Sequence, residues 1–121
     1  MLSLPPSVRI FVAREPVDMR GSFDRLASLA IEVIDGDPQS GHLFVFFGKR
    51  RHIVKILWWD RSGYVVLSKR LEHGRFKMIE RVSSSTTSFE MRSSELQLIL
   101  EGIDLRGARH RLTHDEIFSR A

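Results

Sequence analysis

Three apolar runs in the middle of the chain, separated by short polar turns, form its strongest pattern. Residues 40–76 read SGHLFVFFGKRRHIVKILWWDRSGYVVLSKRLEHGRF. The runs are rich in β-branched and aromatic residues, and the interruptions at residues 48–51 and 60–63 combine glycine with charged residues. Such runs, bounded by turn residues, are typical of β-strands. The pattern therefore predicts a three-stranded antiparallel meander.

Alternation along the second run assigns its two faces, because successive side chains of a strand point to opposite sides of a sheet. Val54, Ile56 and Trp58 share a wholly apolar face, whereas Lys55 and Trp59 lie on a mixed one. We expect the apolar face to lie in the core under the first helix. The length of the apolar runs predicts that both faces of the meander are partly covered.

A helix is predicted at residues 22–35, before the meander. Apolar residues recur there at helical spacing, namely Phe23, Leu26, Ala27, Ala30 and Ile34. Asp18 or Ser22 is suited to cap its first N–H groups. Gly36 is suited to a left-handed residue at its end, and Pro38 cannot continue the helix.

Weaker patterns flank these elements. Residues 8–13 (VRIFVA) form either an edge strand or a cover for the meander, residues 77–82 a short strand, and residues 83–88 (SSSTTS) a mobile loop. Ser94 opens a second helix near residues 94–102, with Gln97 as its capping partner. The fold class is α+β: a mostly antiparallel sheet of three to five strands, covered by the N-terminal helix. Residues 1–105 make one domain, and residues 106–121 a polar tail.

Composition narrows the class of protein. The chain has 121 residues and no cysteine, which excludes disulfides and thiolate metal sites. The N-terminus lacks the pattern of a signal peptide, and no apolar run approaches the length of a membrane helix. We therefore expect a cytoplasmic protein with no membrane partner.

Charge is concentrated in the meander. The formal net charge is +4, and residues 48–81 hold ten Lys or Arg but only three Asp or Glu. A localised basic excess is the footprint of a polyanion partner, although hairpin tips are also charged simply because they are solvated. The predicted nucleic-acid contacts are Lys49, Arg50, Arg51, Lys55, Arg61, Lys69, Arg70 and Arg75.

Aromatic residues lie among these cations. His52, Trp59 and Tyr64 would stack on unpaired bases if they were exposed. Trp59 and Tyr64 are equally suited to anchor a protein partner, and burial is the competing explanation for both tryptophans.

Catalytic motifs are not found in the sequence. It has no nucleophile elbow and no glycine-rich phosphate loop. We therefore expect a protein that is not an enzyme and needs no cofactor. A metal-dependent nuclease that uses Asp18, Asp24 and His42 is a weaker alternative.

Four segments in order resemble one family. They are PVDMRGSFDRLA at residues 16–27, SGHLFVFFGKRR at 40–51, VKILWWDRSGYVVLSKRLEHGRF at 54–76 and LQLILEGIDL at 96–105. They resemble the TnpB accessory proteins of the insertion sequence 66 family of bacterial transposable elements. The resemblance implies a protein encoded beside a larger DDE-type transposase, with no catalytic residues of its own.

The leading hypothesis is a non-catalytic accessory factor for transposition. It would bind DNA, or the transposase–DNA complex, through the basic turns of the meander. The alternative is an interaction module that holds the transposase and touches no DNA. The transposase of the same element is the partner that the resemblance implies, and self-association stays open.

Overall fold

A five-stranded sheet with one helix on each face is the frame of the molecule. A computed structural model describes residues 4–77 and 86–102. The elements are β1 (Ile10–Ala13), α1 (Phe23–Leu29), β2 (Leu43–Phe47), β3 (Ile53–Asp60), β4 (Gly63–Arg70), β5 (Ser88–Met91) and α2 (Ser93–Leu100). The sheet has the strand order β4-β3-β2-β1-β5. The predicted α+β class is confirmed.

The meander forms as its sequence predicts. β2 pairs antiparallel with β3, which pairs antiparallel with β4; Leu57 of β3 lies between Phe44 of β2 and Val66 of β4. The turn between β3 and β4 needs only two residues, Arg61 and Ser62.

β1 differs from its prediction as an edge strand or a cover, because it lies inside the sheet. It pairs parallel with β2 on one side and antiparallel with β5 on the other. Ile10 and Val12 are buried. A strand buried in this way needs partners for its backbone groups on both edges, and β5 supplies the second set.

An apolar layer covers each face of the sheet. α1 lies on the face opposite to the one predicted for it. Val54 and Ile56 pack under α2, with Leu96 and Ile99, and Trp58 packs against the same cluster. α1 instead covers the mixed face, where Leu57 meets a second cluster that includes Phe44, Phe46, Leu26 and Leu29. The wrong assignment has a physical cause: Lys55, on the mixed face, has carbonyl partners inside the protein.

α1 departs in four details from its predicted form. It continues as a π-helical segment, Ala30–Ile34, and Asp35 rather than Gly36 takes the left-handed conformation at its end, with φ of 61°. Neither Ser22 nor Asp18 caps the helix; the Asp18 carboxylate accepts the backbone N–H of Arg20 instead. Phe23, one of the apolar residues at helical spacing, is 47% exposed.

α2 begins one residue earlier than predicted, and its cap differs. The backbone N–H of Arg92 donates to the Glu95 carboxylate over 3.2 Å, so Glu95 takes the role predicted for Gln97. Ser88, predicted to lie in a loop, opens β5. The predicted strand beyond Lys77, residues 83–85 of the serine-rich segment and the C-terminal tail lie outside the described residues.

Candidate nucleic-acid interface

The turn between β2 and β3, residues 48–52, is the centre of the candidate site and is called the basic turn below. Arg51 adopts a left-handed conformation, with φ of 56°. Its backbone N–H donates to the Gly48 carbonyl over 2.9 Å, and the Gly48 N–H donates to the Ile53 carbonyl over 3.1 Å. These bonds close the turn tightly, and Lys49 and Arg50 are exposed at its tip.

The chain leaving β4, residues 71–76, runs beside the basic turn and is called the exit segment. The N–H of Leu71 donates to the His52 carbonyl over 2.8 Å, and the N–H of Phe76 donates to the Arg51 carbonyl over 2.6 Å. Phe76 is buried, with its ring edge-on to Phe47 at a centroid distance of 5.8 Å. This anchoring holds the exit segment next to the turn, so that segments distant in sequence form one surface.

Among the residues that the structure describes, two clefts lie at this end of the sheet, and the basic turn contributes to both. The first cleft, of about 330 Å³, lies between the turn and the loop before α1, and Asp18, Arg20 and Lys49 line it. The second, of about 400 Å³, lies between the turn and the exit segment, and Glu72 and Arg75 line it. Both clefts share two side chains of the turn, Arg50 and His52.

The cations of this surface differ in whether an acid already neutralises them. The Arg20 guanidinium pairs with Asp18 at 2.7 Å, and Arg70 pairs with Glu72 at 3.3 Å. Hydrogen bonds from the Arg20 side chain and backbone hold the pKa of Asp18 well below its ordinary value. Within residues 4–77 and 86–102, four cations of the surface form no ion pair: Lys49, Arg50, Arg51 and Arg75.

Two lysines predicted to contact nucleic acid have partners inside the protein. Lys55 Nζ, partly buried, donates to the carbonyl oxygens of Met19 at 2.7 Å and of Gly21 at 2.9 Å. Lys69 Nζ donates to the carbonyl oxygen of Leu100, at the end of α2. Each lysine thereby joins the sheet to a neighbouring helix or its approach. Nothing in the alternation of the strands could reveal these partners.

The remaining predicted residues lie at the other end of the meander. Arg61 occupies the turn between β3 and β4, and eight-residue β3 separates it from the basic turn by about 23 Å at the usual rise of a strand. Trp59 and Tyr64 face each other across the two strands. Their rings pack edge to face at 5.0 Å, and both are half-buried. The structure therefore brings together five of the predicted cations, Lys49, Arg50, Arg51, Arg70 and Arg75.

The residues of the nuclease alternative do not form a metal site. Among the described residues, no three His, Asp or Glu side chains form a group that could hold a metal ion. The Nδ1 atom of His42 accepts the backbone N–H of Arg9 over 2.9 Å, and Asp18 is paired with Arg20.

Among the cations that line the two clefts, Arg20 is the one that was not predicted from the sequence. Its place within the helix entrance gave no sign that the entrance would fold against the basic turn.

In the described ranges, no helix is long and apolar enough to cross a membrane.

Comparison with known proteins identifies the family. The family model described as IS66 Orf2 like protein matches residues 8–110. The chain belongs to the IS66 Orf2-like family. This membership confirms the resemblance found in the sequence and supports a role as an accessory protein associated with transposition.

Two relatives of this IS66 Orf2-like chain come from Sinorhizobium fredii (strain NBRC 101917 / NGR234). The first, "Uncharacterized protein y4hO", is 35% identical over 106 residues, which cover 88% of this chain and 90% of the relative. The second, "Uncharacterized protein y4jC", is 33% identical over 104 residues, 86% of each chain. No solved structure matches the chain.

Proposed function

We propose that this IS66 Orf2-like protein contacts DNA during transposition through the basic turn and the exit segment. It acts in the cytoplasm as a non-catalytic partner of the transposase, which carries out strand transfer. The observation that supports this proposal is the convergence of Lys49, Arg50 and Arg75. All three are exposed and form no ion pair among the described residues.

Cations without an acid partner suit a phosphate backbone. Each Lys or Arg that neutralises a phosphate releases condensed counterions, so affinity falls as the salt concentration rises. Arg70 and Arg20 contribute less to this attraction because Glu72 and Asp18 already lie beside them. The proposed set of DNA contacts is thus smaller than the set predicted from the sequence. Lys55 and Lys69 instead donate hydrogen bonds to carbonyl groups of the protein.

Charge reversal tests the proposal. The triple variant K49E/R50E/R51E should weaken binding to a duplex probe and flatten its dependence on salt, as measured by fluorescence anisotropy over a salt series. The double variant K49E/R50E keeps Arg51, whose backbone closes the turn, so it changes the charge without a substitution at that position. It should show most of the same effect. Unchanged affinity across the salt series for both variants would reject the proposal.

A matched control lies at the opposite turn. Arg61 is also an exposed hairpin cation. The single variants R50E and R61E change the charge of the chain equally, so only the position differs. R50E should weaken DNA binding severalfold more than R61E, whereas equal effects would indicate attraction by net charge alone.

Exposed apolar side chains favour a second candidate, a protein-interaction module that holds the transposase. Phe23 is 47% exposed and Ile31 is 55% exposed, both on the helical segment that covers the mixed face. Large apolar side chains left in water often mark a docking surface. This candidate predicts co-purification with the transposase after nuclease treatment, its loss in F23A/I31A, and no gel shift by the protein alone.

A further inference from the structure

The basic turn forms a ridge with a cleft on each side. Arg50 and His52 line both clefts, so they lie on the ridge itself. Lys49 lines only the first cleft, and Arg75 lines only the second. Of these three exposed cations, Arg50 therefore lies on the ridge, and Lys49 and Arg75 lie on its two flanks. A narrow ridge with cations on both flanks fits a channel that is bordered by two rows of phosphates.

The ridge is already fixed in the free protein. Its two closing hydrogen bonds join Arg51 to Gly48 and Gly48 to Ile53 at the start of β3. The carbonyls of Arg51 and His52 each accept an N–H from the exit segment. Buried Phe76 anchors that segment below the turn. Because these contacts hold the backbone before any partner arrives, binding requires little additional ordering of the chain.

We propose that the basic turn enters the major groove of duplex DNA, with Arg50 toward the base edges and Lys49 and Arg75 toward the phosphates on either side. This inference rests on the proposed function and specifies its ligand. The sizes agree: the major groove is about 12 Å wide and admits a two-stranded ribbon, whose strands lie about 4.8 Å apart. An arginine there reaches the O6 and N7 acceptors of guanine.

The position of the aromatic pair favours a duplex over a single strand. Proteins that bind single strands stack successive bases on aromatic rings along a basic groove. Trp59 and Tyr64 instead pack against each other at the opposite end of the strands. The cations are therefore separated from both large rings, and of the three predicted stacking residues only His52 lies beside them.

The test compares DNA probes for the wild-type protein and three alanine variants. A 20-base-pair duplex should bind at least tenfold more tightly than either of its single strands at the same salt concentration. K49A and R75A should each reduce the slope of log affinity against log salt by about one. Replacing guanine by 7-deazaguanine, which removes the N7 acceptor, should weaken wild-type binding about three- to tenfold and leave R50A unaffected.

R61A is the matched control, since it removes one hairpin cation from the other end and should retain the 7-deazaguanine effect. Failure of the wild type to bind any DNA would overturn the proposed function together with this inference. Equal affinity for duplex and single strands, or indifference of the wild type to 7-deazaguanine, would overturn groove insertion while DNA binding itself stands.

Discussion

The ammonium group of Lys55 lies 2.7 Å from the carbonyl oxygen of Met19, to which it donates a hydrogen bond. Met19 belongs to the loop before α1, where no side chain caps the helix. The same loop lines the first cleft. Lys55 therefore fixes one wall of the candidate site, and in the proposed function it positions this wall rather than contacting DNA.

Lys55→Met should destabilise the fold by about 1–2 kcal/mol, because hydrogen bonds from a charged donor stabilise more than neutral ones. Urea unfolding followed by circular dichroism measures the change. Lys49→Met is the matched control at an exposed position and should leave the free energy of unfolding nearly unchanged. A Lys55→Met protein as stable as the wild type would show that the hydrogen bonds to Met19 and Gly21 contribute nothing.

Two phenylalanines test whether burial, rather than the type of side chain, determines the loss of stability on substitution by alanine. Phe76 is 1% exposed and supports the exit segment, whereas Phe23 is 47% exposed. Phe76→Ala should cost about 3–5 kcal/mol, the usual range for a buried aromatic, and Phe23→Ala less than about 1 kcal/mol. Thermal and urea unfolding of both variants check this difference, and similar losses would contradict the assigned burial.

Gly36 is needed for close packing. A Cβ atom at this position would lie 2.6 Å from the ring of buried Phe44. Gly36→Ala should therefore destabilise the protein by about 1–3 kcal/mol, as other overpacking substitutions do. Gly63→Ala is the control because a Cβ there meets open space; urea unfolding should show little loss for it. If Gly36→Ala left the free energy of unfolding unchanged, the segment that follows the helix would have to move easily away from Phe44.

The pair of Asp18 and Arg20 gives a prediction for acid pH. Hydrogen bonds from Arg20 lower the pKa of Asp18 in the folded state. The pair therefore stabilises the fold above the unfolded pKa of aspartate, about 3.9, and this contribution is lost as the pH falls below that value. Carbon NMR should find the Asp18 carboxyl still ionised at pH 3, but titrating at a higher pH in Arg20→Gln, which keeps the backbone hydrogen bond and loses those of the guanidinium. Titration near pH 4 in the wild type would contradict the pairing.

Local patterns were sufficient for the meander, α1 and α2. Residues adjacent in sequence form these elements, so alternation in β3 and helical spacing after Ser22 carry the information directly. The basic turn was found for the same reason, since glycine and three successive cations interrupt two apolar runs.

Long-range partners account for most of what the sequence did not predict. β5 is four residues long and pairs with β1 from the other end of the chain, so no local pattern distinguishes it from a loop. The carbonyl partners of Lys55 are equally distant in sequence. Arg61 lies far from the basic turn because the whole length of β3 separates them. The position of Arg61 among the other charges in the sequence does not show this distance.

The place of β1 has a consequence for synthesis on the ribosome. β1 is synthesised before the other described strands, yet its second partner, β5, is the last of them. Until β5 arrives, an apolar inner strand has an open edge, and open edges pair readily with other chains. A chain truncated before residue 88 would therefore be prone to aggregation. Only chains that include β5 would fold with both edges of β1 paired.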